Sequence, residues 1–418
     1  MSDVWIGTCV LSSKDPVGRF WEGGGERVSL RLLMRAETAE TFEAALRRSV
    51  MAGGALLEKI TQVQTIAERY AGRRLSPAMQ DAVARADSIT PLMVSAPKII
   101  HATYQIQEIT WTALAPANDL WALLDGVQWP GLPQVLATSG AEHICLYTTT
   151  NAQSLAAAPW LVRLDDAGGN FLGLLQKRPC DSHSGILFKA DSTLQHMHKH
   201  LRYYTMMPTP IGGEVPQYFR FYDPRVMLDA LSALDSHLLA QLLRPLTALI
   251  LPLSPQSLLP ADAQITDPPT VFDLAEDCRD RLALATWLPD TGTRAARRVA
   301  IDQTSFDRFG MLQKRRAIGI LARQLHDEFG DTFSTGQCLC AAEDAPVAAG
   351  KFGMNSLKQV TAMARALLHH GPAFWEHERE AHDLLHRTGR LPWQRKEDLL
   401  SWLARMENTR LPMKGNHG

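Results

Sequence analysis

Three histidines at alternate positions, His196, His198 and His200, are the first residues of this chain whose type and spacing could do chemistry. Imidazole is the commonest protein ligand for transition metals. On a helix His196 and His200 share a face, as metal-ligating pairs at i and i+4 do, while His198 points about 200° away by the 3.6-residue period. Leu194, Met197 and Leu201 fit the buried stripe of such a helix, which makes the histidines solvated or helix-end residues. Glu378, His382 and His386 form a second row at spacing four, a pattern that can hold a transition metal. Ala381, Leu384 and Leu385 mark the inner face of that segment and leave the row on a polar outer face. Cys338 and Cys340 make a C-x-C pair, but a zinc site generally needs a second half-site, so they read as two small thiols beside a loop. Lys314, Arg315 and Arg316 could touch phosphate and read more simply as a charged helix face in water. No nucleophile elbow, phosphate loop, dinucleotide fingerprint or H-E-x-x-H helix occurs. The expectation is a chain without reacting residues, metal or cofactor. The competing expectation is a metal-dependent enzyme built on Glu378, His382 and His386.

A chain of 418 residues can bury large cores and should divide into two or three domains. With 45% hydrophobic and 21% charged residues it has the balance of a folded protein. A formal net charge of −1 provides no sequence-wide field for nucleic acid or an anionic membrane, so neither is expected as a partner. Six scattered cysteines suit reduced thiols in cytosol. Met1 to Leu11 carries Asp3 and lacks the basic-then-apolar pattern of a secretory signal. The most apolar stretch, Leu238 to Leu253, is interrupted by Gln241, Arg244 and Pro245 and is too short to span a bilayer. The expected location is therefore the cytoplasm.

The elements that would position these residues suggest an α+β protein in several parts. Residues 1–104 read as a small α/β unit: β-rich runs at Val4 to Leu11 and Arg27 to Met34, joined by a turn at Gly23, Gly24 and Gly25. A Thr38-capped helix carrying Phe42, Leu46 and Val50 follows, then a strand within Leu56 to Ile66 and a helix opened by Ser76-Pro77. Residues 112–253 read as a central mixed α/β domain. In it Asp119 caps a short apolar element ending at Gly126, and His143 to Thr148 and Trp160 to Leu164 are buried strands. Prolines 255, 260, 268 and 269 mark residues 254–270 as a stiff linker. Residues 271–418 read as an irregular helical lobe, with helices over Met311 to Phe329, from Ser356 to Gly371, over Glu376 to His386 and over Lys396 to Met406.

The most informative stretch is Gln217 to Leu234, Q-Y-F-R-F-Y-D-P-R-V-M-L-D-A-L-S-A-L. Tyr218, Phe219, Phe221 and Tyr222 form an aromatic strand with Arg220 among them. Asp223 caps the next helix, and Pro224 takes its first position, where no amide hydrogen is needed. Arg225 meets the unfavourable end of the helix dipole and so calls for a carboxylate or carbonyl partner.

This F-R-F-Y-D-P-R-V corner resembles the most distinctive motif of the adaptor-chaperones of bacterial type VI secretion. Four further pieces follow that family's order. They are L-W-A-L-L-D-G at Leu120 to Gly126, Leu146-Tyr147, A-P-W-L-V at Ala158 to Val162 (with Pro159, and with Trp160 where the family often has Tyr), and His200-Leu201-Arg202. The resemblance implies a non-catalytic protein that binds a toxic effector in the cytoplasm and helps dock it on the VgrG spike. Within it Tyr147, Pro159, Trp160, Leu201, Arg202, Arg220, Phe221, Tyr222, Asp223, Pro224 and Arg225 are expected to hold the fold.

Overall fold

Hydrophobic alternation along two long runs builds the first sheet of the structure, a computed structural model that describes residues 3–13, 27–71, 75–95, 97–100, 104–166, 169–211, 215–260, 263–287 and 299–410. Strands β1 (Asp3–Ser13) and β2 (Arg27–Ala36) pair antiparallel from Asp3↔Ala36 to Ser12↔Arg27. The expected turn at Gly23 to Gly25 lies outside the described residues. Helix α1 (Ala39–Ala52) starts where expected: Thr38 Oγ1 accepts from Thr41 N at 3.2 Å and Thr41 Oγ1 accepts from Thr38 N at 2.9 Å. Its Phe42, Leu46 and Val50 pack on Cys9, Leu11, Val28, Leu30, Leu32 and Met34, the alternate side chains of one sheet face. Strand β3 (Ala55–Thr65) flanks β1. After α2 (Ile66–Arg69) and α3 (Pro77–Arg85), capped by Ser76, strands β4 (Leu92–Met93) and β5 (Lys98–Ile100) join β2.

The second sheet carries the site. Its elements run β6 (Tyr104–Thr110), β7 (Leu120–Asp125), α4 (Leu132–Ser139), β8 (His143–Cys145), α5 (Ala152–Ala157), β9 (Pro159–Arg163) and α6 (Gly169–Gln176). Then come β10 (Gly185–Lys189), α7 (Leu194–Tyr203), the ribbon β11 (Met206–Met207) and β12 (Gln217–Tyr218), α8 (Pro224–Ala233), α9 (Ser236–Leu243), β13 (Ala248–Pro252) and β14 (Arg281–Trp287). Seven strands order as β6-β14-β13-β10-β7-β9-β8, and every ladder between them is antiparallel. Helices and strands alternate along this part of the chain as expected, and the class is α+β.

The apolar element after Asp119 is a strand at the middle of this sheet, not a helix behind a cap. All six residues of β7 are buried. Trp121 and Leu123 enter the core shared with α7, α8 and α9, while Leu120, Ala122 and Leu124 enter the core shared with α4 and α6. A strand covered on both faces loses the polar alternation that identifies strands in sequence. Each fully buried large side chain here contributes roughly 1.5–3 kcal/mol.

Residues 254–270 do not end the sheet's domain. Leu253 N donates to Arg281 O at 3.0 Å, Gln264 N donates to Ile106 O at 2.7 Å, and the chain returns as β14 between β13 and β6. The sequence R-L-A-L-A-T-W carries alanines that favour helix in isolation, and the sheet overrides that preference. Helix α10 (Gln303–Phe329) follows, then α11 (Thr335–Gly350), α12 (Leu357–His370), α13 (Arg379–His386) and α14 (Pro392–Arg410). The chain divides into two compact units, residues 1–69 with 76–313 and residues 70–75 with 314–418. The second unit is helical. In it α12 packs on α11 and α14, with the His370 and Phe374 rings 4.4 and 5.5 Å from that of Trp402. Cys338 and Cys340 lie inside α11, not beside a loop. Among the described residues no helix is long and apolar enough to cross a membrane.

Candidate functional site

The corner after β12 gathers most of the residues singled out from the sequence. Only Gln217 and Tyr218 of the aromatic run are strand, paired with Met207 and Met206. Phe219 N still donates to Thr205 O at 3.0 Å, and the chain then folds back through a turn closed by Asp223 N donating to Arg220 O at 2.9 Å. The run is therefore a short strand end and a turn, because the turn hydrogen bond replaces a ladder. Three of its four rings go inward while Tyr218 stays exposed: Phe221 is fully buried, with Phe219 and Tyr222 each 5.9 Å away, and Phe309 stands edge-on 6.0 Å from Phe219.

Asp223 and Pro224 start α8 as expected. Asp223 Oδ1 accepts from Arg225 N at 2.9 Å and from Arg225 Nε at 3.1 Å, and Oδ2 accepts from Arg225 Nη2 at 2.7 Å. Arg225 Nη1 donates to Gln256 Oε1 at 2.7 Å, which ties the start of the helix to the proline-rich segment. Burial pushes the Asp223 carboxyl up, but the Arg225 hydrogen bonds and charge, aided by His183, outweigh it and hold it below the usual carboxylate range.

The second arginine of the motif reaches across the sheet end. Arg220 Nη2 pairs with Oδ2 of Asp125, the last residue of β7, whose side chain is 1% exposed against 41% for Arg220. Asp125 Oδ1 accepts from Val127 N at 2.9 Å, and Asp125 N donates to Ser184 O at 2.8 Å. Every oxygen of both carboxylates is thus engaged. Near the Asp125–Arg220 pair the hydroxyls of Tyr147 and Tyr222 are hydrogen-bonded, and burial raises the pKa of both phenols. The Tyr218 ring tilts against Tyr147 with centroids 6.5 Å apart.

Outside this network, the remaining motif residues serve the frame. Pro159 O accepts from Leu146 N at 2.9 Å, Trp160 Nε1 donates to Leu155 O at 3.2 Å, and Leu201 is buried in the core. Arg202 Nη2 donates to Thr148 Oγ1 at 2.8 Å. Sequence reasoning missed Asp125, His183 and Gln256. Only Asp125 left a signal: an acid closing a wholly apolar run must find a cation or a cap when buried.

One family model matches the chain, over residues 120–241, and is described as "Domain of unknown function (DUF4123)". No curated protein and no solved structure matches. The match covers less than a third of the chain and runs from β7 into α9, so it holds Asp125, His183 and every motif residue, while β6, β13, β14 and Gln256 lie outside it. The family-like stretch is completed into a sheet by strands on both sides of it in sequence.

The two histidine sets do not converge. His198 Nε2 lies 3.0 Å from Cys145 O and His200 Nε2 lies 2.8 Å from Leu242 O, on separate sides of α7, while His196 is exposed. Burial lowers the pKa of His200. The His382 and His386 rings stack at 4.2 Å on the exposed face of α13, with His386 Nδ1 3.0 Å from His382 O, and Glu378 Oε1 sits 3.8 Å from His370 Nδ1. Among the described residues no group of three or more histidines, cysteines or carboxylates is placed to hold a metal ion. Matched charges and buried rings in the central corner fix a strand end, a turn and a helix start against the C-terminal end of β7.

Proposed function

We propose that this chain is a non-catalytic adaptor-chaperone of the type VI secretion system, which binds a toxic effector protein in the cytoplasm and helps load it onto the VgrG spike. The observation that carries the reading is the family match over residues 120–241, the same stretch in which five motifs follow the order of the adaptor-chaperones. The geometry adds physical support. The polar residues of the motif are engaged with one another and with backbone amides, which stiffens a frame. A stiff frame suits recognition, because little conformational freedom is lost when a partner docks. A unit of this size can provide a standard interface of about 1,600 Å². The test is co-expression of the tagged chain with whatever toxin and spike proteins its source genome encodes. Stoichiometric recovery of the toxin is expected, and recovery of neither protein refutes the reading.

A further inference from the structure

The ribbon β11–β12 and the outer face of α7 form one continuous exposed surface. Single exposed apolar residues are ordinary, so continuity decides whether they mean anything. Tyr203, Met206, Ile211, Val215 and Tyr218 are all exposed, Tyr203 by 61% and Tyr218 by 69%. Met206 and Tyr218 are cross-strand partners. Tyr218 touches Tyr147, the next residue Thr148 accepts the hydrogen bond of Arg202, and Arg202 adjoins Tyr203 on α7. These contacts link Tyr218 of the ribbon, through Tyr147 and Thr148, to Arg202 and Tyr203 of α7.

Among the described residues 194–211 and 215–218 the charged side chains are the cations Lys199 and Arg202. Lys199 and Arg202 stand three residues apart on the exposed face of α7, a helix without any carboxylate. Arg244, exposed at the end of α9, acts electrostatically on His200 and Tyr204 of α7 and so borders the same face. None of these three cations has an ion pair among the described residues. Tyrosine and arginine are the side chains most enriched where binding energy concentrates at protein interfaces.

We propose that this face docks an acidic amphipathic segment of a partner polypeptide, its apolar side chains lying over Tyr203, Met206 and Tyr218 and its carboxylates meeting Lys199, Arg202 and Arg244. The inference rests on reading the chain as a carrier of another protein and names the chemistry of the cargo segment. A membrane fits less well, because electrostatic docking to anionic lipid generally draws on about four to eight clustered cations and this face has three.

The test uses the full chain and two fluorescein-labelled peptides of about 18 residues, five helical turns, with one leucine stripe and either glutamate or lysine elsewhere. Anisotropy should show binding of the glutamate peptide and about tenfold or more weaker binding of the lysine peptide. Affinity for the first should fall as salt rises from about 0.1 M to about 1 M and the Debye length shrinks from about 10 to about 3 Å. Tyr218→Ala and Lys199→Glu should each weaken it about tenfold, which is about 1.4 kcal/mol. Lys199→Glu removes no hydrogen bond of the described fold, so a melting curve matching the wild type keeps that variant interpretable. Equal binding of both peptides, binding of neither, or indifference to both substitutions overturns the proposal. So does preferential binding to phosphatidylserine vesicles, or a dimer of this chain that Tyr218→Ala dissociates. The two readings fail separately. An effector retrieved equally by wild type and by both variants overturns the docking face and leaves the adaptor standing. An effector not retrieved by the wild type removes the adaptor, and the peptides still judge the face.

Discussion

Replacing Arg220 by methionine would keep most of the side chain's volume and leave the Asp125 carboxylate, 1% exposed, with one oxygen unpartnered. Losing one hydrogen bond between charged groups costs about 1.5–3 kcal/mol, and breaking a wholly buried pair costs about 3–5 kcal/mol. The 41% exposure of Arg220 admits water to the pair and moves the expectation to the lower range, about 2–3 kcal/mol. For a unit of this size each kcal/mol moves the melting midpoint by about 2–4 °C, so Arg220→Met should melt roughly 4–12 °C early. Asp125→Asn keeps an oxygen for Val127 N, and in Arg220→Met with Asp125→Asn much of the loss should be shared, giving a coupling of about 1.5 kcal/mol or more. The assay is thermal and urea unfolding of the three variants, with hydrogen exchange at amides of β7 and α8 to report on the first unit alone, since two units need not unfold together. An Arg220→Met protein within about 0.5 kcal/mol of wild type, or a coupling near zero, would refute the claim that this motif residue holds the fold.

Gly126→Ala should be among the most damaging small substitutions, because a Cβ there would sit 2.4 Å from Ala156 O and 2.6 Å from Ala158 O. A loss of at least about 1–3 kcal/mol in urea unfolding is expected, and an unchanged midpoint would contradict the described contact. Phe221→Ala empties a fully buried ring site and should cost about 3–5 kcal/mol in the same assay. Asp223 and Glu108 both titrate below their ordinary range, the first against burial through Arg225 and the second mainly through its hydrogen bond from Arg281. Depressed carboxyl pKa values give stability that is complete above the unfolded values, about 3.9 and 4.3, and is lost as pH falls through the folded ones. Stability should therefore be insensitive to these groups from pH ~7 to ~5 and decline below pH ~4, and Arg225→Met should flatten that decline. Metal analysis of the purified chain should find no stoichiometric zinc, manganese or iron; a full equivalent lost on His382→Ala would reinstate the metal-enzyme reading.

Local chemistry made parts of this structure readable in advance. Thr38, Ser76, Asp223 and Pro224 each act within three residues of themselves, so the caps and helix starts they mark are where the sequence placed them. Arg225 was legible as needing a partner, and Asp223 and Gln256 supply one. What depends on distant neighbours was not. Strand β7 reads as a capped apolar element because its ladder partners β9 and β10, and the helices that cover its two faces, arrive later in the chain. Strand β14 reads as helix because its alanines are judged without β13 and β6 beside them. Asp125 becomes part of the site only when Arg220, 95 residues on, reaches it, and His183 only through a loop whose fold sets it beside Asp223.

The proposal that this chain carries another polypeptide is tested most directly by titrating the N-terminal part of a candidate toxin, chosen by co-purification, into the purified full chain in a calorimeter. The account predicts saturable binding at one site per chain, with a negative heat-capacity change from buried apolar surface. No heat of binding at micromolar concentrations, from a chain whose melting curve shows it folded, would contradict it.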